Sequence, residues 1–309
     1  MSSDLIGVFG GSGFIGQHLV RALLNDGQRV RCTARAVSSS LENDFPADIW
    51  SVCNIKSPLD CNMALNGVNT VVQLISTSSP GMGNQHLEAD ITDNVLPHVS
   101  FIKNAIANGV KRYIFLSSGG TVYGQNHSTP SRETDLTCPI SSHGLTKLMI
   151  EKYLEMHGVL DDLDFVILRI SNPYGPGQKF NKGQGLIPAL LQRHKQGLPI
   201  QIIGDGNAMR DYLYIDDTID AIVRATKSVD AAKQIINIGA GQGRTILSVI
   251  DTIERQMDVS FRKEYVPSRP TDVAYNVLNI EKAEKILGWK PTTSFEVGLD
   301  LLLRTQKTI

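Results

Sequence analysis

No apolar run in this sequence of 309 residues is long enough to cross a bilayer, so nothing in it predicts a membrane protein. Neither charge sign is in excess: 30 basic and 31 acidic residues give a net charge of −1 and no reason to expect a nucleic-acid or anionic-membrane surface. The four cysteines lack metal-ligand spacing and are too few for a disulfide scaffold. The first residues run into a predicted strand rather than a signal peptide. We therefore expect a cytoplasmic protein with reduced thiols and no metal site.

What the sequence does contain is a regular alternation of strand and helix patterns. Apolar runs near residues 5–9, 28–35, 49–54, 70–75, 112–116, 165–170 and 235–239 predict strands, and helical patterns fall between most of them, including a long one over about 86–108. This alternation predicts parallel βαβ units with right-handed crossovers. The expected fold is α/β, a doubly wound parallel sheet, with a smaller second domain because the length exceeds that of one core.

A glycine turn joins the first predicted strand to the first helix. Glycines at 10, 13 and 16 permit a tight turn, let a pyrophosphate approach the backbone and let the helix pack closely on the strand. Free N–H groups at the helix start, near Phe14 and Ile15, then bind phosphate. In this strand–helix context the turn predicts a dinucleotide site, and its spacing is the form found in short-chain dehydrogenase/reductase proteins.

The end of the second predicted strand bears on the choice of cofactor. An NAD site usually has Asp or Glu there to accept from the ribose hydroxyls, whereas Arg suits the 2′-phosphate of NADP. This chain has Ala34 followed by Arg35 and by serines at 38–40. Two interpretations stay open: Arg35 binds a 2′-phosphate, or it stacks on the adenine or points to solvent.

Residues at the carboxyl ends of the next strands complete the predicted cofactor site. Asn54 and Ile55 follow the third strand, where an adenine would lie, and Leu74 is near the end of the fourth. The polar loop at 76–83 follows at the edge where ligands of parallel sheets bind. The small residues at 117–124 let a substrate approach the backbone.

Four motifs in order resemble one family. The turn at 10–16, Ser-Ser-Gly-Gly-Thr-Val-Tyr-Gly at 117–124, Asn-Pro-Tyr-Gly-Pro-Gly at 172–177 and Arg-Asp-Tyr-Leu-Tyr-Ile-Asp-Asp at 210–217 are similar to those of extended short-chain dehydrogenase/reductases of the NAD-dependent epimerase/dehydratase family, in particular UDP-glucose 4-epimerase-like members. The resemblance implies a Rossmann-type NAD domain over 1–170, to which the chain returns around 211–240, and a mainly substrate-binding α/β domain over 171–309. It also implies a homodimer.

The resemblance further implies a nucleotide-diphosphate sugar as substrate. In the family, a set of residues holds the diphosphate, ribose and base of this substrate. The matching residues here are Asn172, Leu186, Arg210, Arg269 and Asp272. Elementary chemistry agrees for the two arginines, because a diphosphate dianion favours guanidinium donors.

The catalytic positions depart from the family pattern. Family members use a Tyr base and a Lys four residues later, which holds the nicotinamide ribose and lowers the pKa of the Tyr. Here Lys147 is present, but His143 stands at the Tyr position and Gly119 where a Ser or Thr usually lies. Three interpretations remain: His143 is the base, with Thr121 supplying the hydroxyl; Tyr123 or a water bridges the gap; or the protein binds its ligands without turnover.

These residues support a leading hypothesis and two alternatives. The first is a nucleotide-sugar 4-epimerase that uses bound NAD, with a role in polysaccharide biosynthesis. The second, motivated by Ala34 and Arg35, is an NADPH-dependent 4-ketoreductase of deoxysugar nucleotides. The third, motivated by His143 and Gly119, is a catalytically impaired nucleotide-sugar-binding protein.

Overall fold

The computed structural model describes residues 4–78, 84, 87–125, 129–180, 185–268 and 272–307. Its strands are β1 (Leu5–Phe9), β2 (Arg29–Ala34), β3 (Trp50–Val52), β4 (Thr70–Gln73), β5 (Arg112–Ser118), β6 (Asp164–Ile170), β7 (Asn172–Tyr174), β8 (Ile200–Ile203), β9 (Met209–Tyr214), β10 (Gln234–Ile238), β11 (Gly243–Thr245), β12 (Lys263–Val266) and β13 (Tyr275–Asn276). Its helices are α1 (Phe14–Asn25), α2 (Ser39–Asp44), α3 (Pro58–Leu65), α4 (Leu87–Asp90), α5 (Leu96–Ala107), α6 (Ser142–Leu160), α7 (Leu186–Lys195), α8 (Ile215–Lys227), α9 (Ile246–Met257), α10 (Glu281–Leu287) and α11 (Phe295–Lys307).

Seven strands form one parallel sheet in the order β10-β6-β5-β4-β1-β2-β3. The order reverses at β1, where β2 lies on one side and β4 on the other, so the carboxyl ends of β1 and β4 border a crevice. The predicted doubly wound parallel sheet is confirmed. The last strand, β10, comes from the C-terminal half of the chain, while the division into two domains stays a prediction.

Helices cover both faces of this sheet because its strands are apolar on both sides. Along β1, Val8 faces the core beneath α1 and α8, whereas Phe9 faces the core beneath α3, α5 and α6. Successive side chains of a strand point to opposite faces, so one short run supplies both cores. Leu19 and Leu23 anchor α1, and Phe101 anchors α5; all three are fully buried. Among the described residues no helix is both long and apolar enough to span a membrane.

The long helix predicted over 86–108 is regular only in its second half. Residue 86 lies outside the described residues; α4 begins at Leu87, and the segment Ile91–Val95 is a π-helical turn before α5 continues. Hydrophobic spacing does not reveal the wider turn, because the segment has only five residues, of which Asn94 and Val95 are buried. Such turns occur often at functional sites.

A second, smaller sheet was not predicted from the sequence. The strand β9 pairs with β11 in antiparallel fashion and with β7 and β13 in parallel fashion. This register places Asn172 opposite Tyr212, and Asn276 opposite Arg210. Polar residues from three distant segments therefore meet on neighbouring strands, and a separate parallel pair, β8 with β12, lies outside this sheet.

Candidate active site

The glycine turn has the geometry that a phosphate-binding turn needs. Gly10 has a φ of +93°, a conformation that side chains disfavour. A Cβ at Gly16 would lie 2.4 Å from the carbonyl oxygen of Gly10, so the helix start and the turn are in direct contact. Gly13 is the N-cap of α1, and the first turn carries no carboxylate. No side chain caps this helix start, so its backbone N–H groups can bind an anion, and the residues present fit the pyrophosphate of a dinucleotide.

Replacing Gly13 tests the turn directly. A Cβ there would meet only the carbonyl oxygen of Gly10, at 3.3 Å, and the φ of −76° suits any residue. We expect Gly13→Val to fold normally and to lose most of its bound dinucleotide, because the branched side chain occupies the phosphate's approach. Cofactor content per chain, measured by absorbance after denaturation, is the readout. Normal content would contradict the assignment, and Gly16→Ala, which clashes within the turn, should instead lower the free energy of unfolding.

The other predicted cofactor residues follow the sheet edge beside this turn. The backbone of Leu74 and Ile75 lies against Gly10. A Cβ added at Gly10 would be 3.2 Å from the amide nitrogen of Ile75. Asn54 is exposed and its side-chain oxygen accepts from the backbone N–H of Lys56, at 3.1 Å, while Ile55 is buried.

The residues at the end of β2 also match the sequence-based expectation in position. Ala34 is buried and ends β2, and Arg35 is exposed immediately after it. Within the described chain Arg35 has no ion-pair partner, so its guanidinium is available to a ligand.

His143 lies in the first turn of α6 and is almost completely buried, with 7% of its surface exposed. The helix begins there because Ser141 accepts a hydrogen bond from the backbone N–H of Gly144, at 3.2 Å. The imidazole Nδ1 is 3.1 Å from Oγ of Ser78, in the loop after β4. Burial, and then the charge of Lys147, lowers the pKa of His143 to about 3, so the ring is neutral at physiological pH.

Lys147 follows one helical turn later on the same buried face. Its Nζ donates to the carbonyl oxygen of Leu116, at 2.8 Å, and stands 4.8 Å from the centre of the Phe115 ring. Burial lowers the pKa of Lys147 to about 8. His143 and Lys147 are therefore two buried titratable groups on one helical face, and Lys147 reaches the backbone of β5.

Thr121, the predicted hydroxyl donor, lies against the start of α6. Gly144, next to His143 in the chain, packs against it: a Cβ added at Gly144 would lie 2.7 Å from the carbonyl oxygen of Thr121. The hydroxyl of Thr121 is buried and has no hydrogen-bond partner within the part of the chain that the structure describes. At Gly119 there is no room for a side chain, because a Cβ would lie 2.6 Å from Cδ1 of Leu278 and 3.0 Å from the carbonyl oxygen of Arg169.

Tyr123, the alternative base, is committed to other contacts. Its hydroxyl donates to Oδ1 of Asn237, at 2.7 Å, and accepts from Nη1 of Arg169, at 3.0 Å. Burial raises the pKa of Tyr123 to about 12. Tyr123 is 4% exposed, and these two contacts would have to change for its hydroxyl to act as the base. The interpretation that Tyr123 or a water bridges the gap stays a prediction.

Two of the predicted substrate residues, Asn172 and Arg210, lie on the paired strands β7 and β9 of the second sheet. Asn172 donates to the carbonyl oxygen of Asp211, at 2.9 Å, and Arg210 donates to that of Met209, at 2.9 Å. Burial lowers the pKa of Arg210, and the nearby carboxylate of Asp272 opposes that effect. Leu186 is the half-buried first residue of α7. Arg269 lies outside the described residues.

Sequence reasoning missed two polar residues of this region. Asn276 is 1% exposed and donates to the carbonyl oxygen of Gly119, at 3.0 Å, while its own side-chain oxygen has no partner among the residues described. It lies on a two-residue strand, which leaves no pattern. Ser78 was covered only as part of the loop at 76–83, and nothing in the sequence paired it with His143.

The fold and the glycine turn define a Rossmann-type dinucleotide-binding protein with a buried His–Lys pair at the sheet edge. The model of the NAD dependent epimerase/dehydratase family matches residues 6–239, and the chain belongs to this family.

Relatives with named activities include a reductase and several epimerases. A dTDP-4-dehydro-6-deoxyglucose reductase from Escherichia coli is 36% identical over 240 residues, which cover 78% of this chain and 75% of that protein. A UDP-glucose 4-epimerase from Thermotoga maritima, solved with UDP-glucose, is 31% identical and superimposes with a TM-score of 0.91 over 98% of this chain and 99% of that one. A UDP-glucose 4-epimerase from Thermus thermophilus, solved with NAD, is 26% identical with a TM-score of 0.88, over 98% and 99% of the two chains.

Proposed function

We propose that this protein is an NAD-dependent nucleotide-sugar 4-epimerase. The observation that carries the proposal is the buried pair of His143 and Lys147 at the sheet edge that also holds the glycine turn. The similarity to solved UDP-glucose 4-epimerases over nearly the whole chain supports it.

Different residues of the chain would bind the cofactor and the substrate. The N-terminus of α1, including Gly13, Phe14 and Ile15, would hold the pyrophosphate of NAD, and Lys147 would hold the nicotinamide ribose. When bound, NAD supplies a hydride acceptor and donor at C4 of the sugar. Arg210 would bind the substrate diphosphate. Burial lowers the pKa of Arg210, whereas the nearby carboxylate of Asp272 acts in the opposite direction and so favours its charged form.

His143 would accept the proton of the sugar 4-hydroxyl and later donate it back. The neutral imidazole accepts this proton as C4 is oxidised, and it returns the proton when C4 is reduced on its opposite face. Because the pKa of His143 is lowered to about 3, the imidazolium is a strong acid. Returning the proton is therefore easier than taking it, and the charge of buried Lys147 is one of the two causes of this lowered pKa.

Turnover of UDP-glucose and UDP-galactose tests the function. Purified enzyme with its own bound cofactor should interconvert the two sugars without added NAD(H), as measured by chromatography of the products. A panel that adds UDP-glucuronic acid and dTDP-glucose identifies the preferred substrate. No interconversion of any member would contradict the epimerase and favour a binding protein, whereas steady turnover eliminates the latter.

One observation favours a reductase as the second candidate. Arg35 is exposed after buried Ala34, with no acidic residue at the end of β2, and the E. coli relative is named a reductase. This geometry suits the 2′-phosphate of NADP. A reductase would consume NADPH in stoichiometric amounts with a 4-keto sugar nucleotide, whereas an epimerase would not.

Substitution of Arg210 tests the diphosphate site. We expect Arg210→Ala to raise the KM for the nucleotide-sugar by about 10- to 100-fold, since a charge-assisted contact contributes about 1.5–3 kcal/mol. Cofactor content should not change. Arg255→Ala, which removes an exposed guanidinium from α9, is the matched control. Unchanged affinity of Arg210→Ala for free UDP would place the substrate elsewhere.

We also propose a cytoplasmic homodimer that serves polysaccharide biosynthesis. Large apolar side chains are exposed on α4, the π turn and α6, which pack together: Leu87, Ile91, Leu145, Val159 and Leu160. Such a surface suits burial against a second copy. Sedimentation at micromolar concentration should give twice the chain mass, and a monomer would refute the dimer. Unaltered surface polysaccharide after deletion of the gene would refute the cellular role.

A further inference from the structure

The loop after β4 places a hydroxyl directly on the imidazole of His143. Ser78 and His143 are each 7% exposed, and Oγ of Ser78 is 3.1 Å from Nδ1. Since this contact occupies Nδ1, the other ring nitrogen, Nε2, is the one available to a substrate. Lys147 is the charged neighbour of the ring, one turn along the same helix.

The position of Ser78 is fixed by the segments around it. The backbone N–H of Thr77 donates to Oδ1 of Asn94, at 2.9 Å, and Oγ of Ser76 donates to the carbonyl oxygen of Ser78, at 3.0 Å. Asn94 is buried within the π turn, and its carbonyl oxygen accepts from Nδ1 of His98, at 2.6 Å. The π turn thus directs a buried amide at the loop, and the loop holds Ser78 against the ring.

A neutral imidazole has one N–H and one lone pair, so a partner at one nitrogen determines the chemistry of the other. If Nδ1 donates, Nε2 can accept a proton; if Nδ1 accepts, Nε2 can only donate. The hydroxyl of Ser78 can accept from an N–H at Nδ1, which leaves the lone pair of the neutral ring at Nε2.

We propose that Ser78 is a positioning residue that holds His143 in the Nδ1–H tautomer and leaves the Nε2 lone pair free to accept the proton of the sugar hydroxyl. The choice of this tautomer rests on the proposed function, because a base needs its lone pair at Nε2, whereas the contact between Ser78 and Nδ1 does not. During turnover the proton of the 4-hydroxyl moves to Nε2, and Nδ1–H continues to donate to Ser78 as the ring becomes charged. The serine then stabilises the imidazolium that burial disfavours.

Nitrogen NMR measures the tautomer without any substrate. In protein labelled with ¹⁵N-histidine, the His143 signals are assigned by their absence in His143→Phe. We expect wild-type protein to show a protonated Nδ1 and an unprotonated Nε2, and Ser78→Ala to shift His143 toward the other tautomer. An Nε2–H tautomer in the wild type, or an unchanged tautomer in Ser78→Ala, would overturn the proposal whether or not the protein is an epimerase.

Kinetics tests the same contact through activity. Ser78→Ala should lower kcat by about tenfold, the equivalent of one ordinary hydrogen bond, with KM and cofactor content unchanged. Ser78→Thr should restore most of the loss. The control Ser248→Ala removes a hydroxyl that donates to the carbonyl oxygen of Thr245 at the start of α9, and it should change nothing.

Adding Ser78→Ala to the variant His143→Tyr distinguishes a positioning role of Ser78 from general damage to the site. In His143→Tyr the ring nitrogens are absent, so the additional change Ser78→Ala should alter kcat by less than about twofold. An equal loss in both backgrounds would mean that Ser78 acts on the fold or on the substrate rather than on His143.

Discussion

The variant His143→Phe should lose about 100- to 10,000-fold in kcat/KM, the range that a positioned acid–base group contributes. Phenylalanine fills the buried space but neither accepts nor returns a proton. Because the lost interaction belongs to the transition state, the affinities for cofactor and nucleotide-sugar should stay near those of the wild type. Steady-state kinetics together with equilibrium binding of UDP is the measurement. Full activity in this variant would refute the base assignment.

The dependence on pH distinguishes His143 from a tyrosine at the same position. With the pKa of His143 lowered to about 3, the imidazole is neutral from pH 5 upward, so kcat/KM should not fall on acidification from pH 8 to pH 5. In His143→Tyr the phenol must lose its proton, so kcat/KM should rise with pH, aided by the charge of Lys147. The pKa of Lys147, about 8, limits that aid above pH 8.

His143→Tyr should also be at least as active as the wild type. A base works best when its pKa is near the working pH, and about 3 is far below it. An acid limb near pH 6.5 in the wild type, the value expected for an exposed histidine, would show that the ring is less buried than the structure has it.

The second large effect concerns stability. Glu151→Ala should lower the free energy of unfolding by about 3–5 kcal/mol, because it leaves Arg169 charged and unpaired inside the protein. The side chains of Glu151 and Arg169 are 0% and 2% exposed, and their nearest charged atoms are 2.7 Å apart. Ser117 donates to the same carboxylate, and Arg169 also donates to Tyr123. Denaturant unfolding followed by fluorescence is the measurement.

The same helix provides a matched control for that change. Glu155 forms an ion pair with Lys152 at 2.6 Å, but the side chains are 35% and 61% exposed and so remain in contact with solvent, and Glu155→Ala should cost less than about 1 kcal/mol. Glu151→Gln, which keeps an acceptor for Ser117, should lie between the two. Equal losses for Glu151→Ala and Glu155→Ala would show that the buried pair contributes no more than a surface one.

The parts of the fold that could be predicted are those set by local pattern. The strands β1, β4 and β5 are apolar runs buried on both faces, and the glycine turn needs residues at fixed offsets. The i, i+4 spacing also placed His143 and Lys147 on one helical face, where the structure has them.

The rest of the site depends on contacts between segments far apart in the chain. Asn276 joins the site through a strand of two residues, and Ser78 meets His143 across 65 positions of sequence. The pKa of His143 could not be predicted either, because the residue type gives about 6.5 and the shift comes from burial under the surrounding loops.

The packing of Leu278 against Gly119 makes the side chains tolerated at the two positions depend on each other. A serine introduced at 119 alone would have to displace Cδ1 of Leu278 from 2.6 Å and approach the carbonyl oxygen of Arg169 at 3.0 Å. A residue larger than glycine at 119 therefore requires a change of conformation or of side chain at 278, so substitutions at the two positions should not be additive in their effect on the free energy of unfolding.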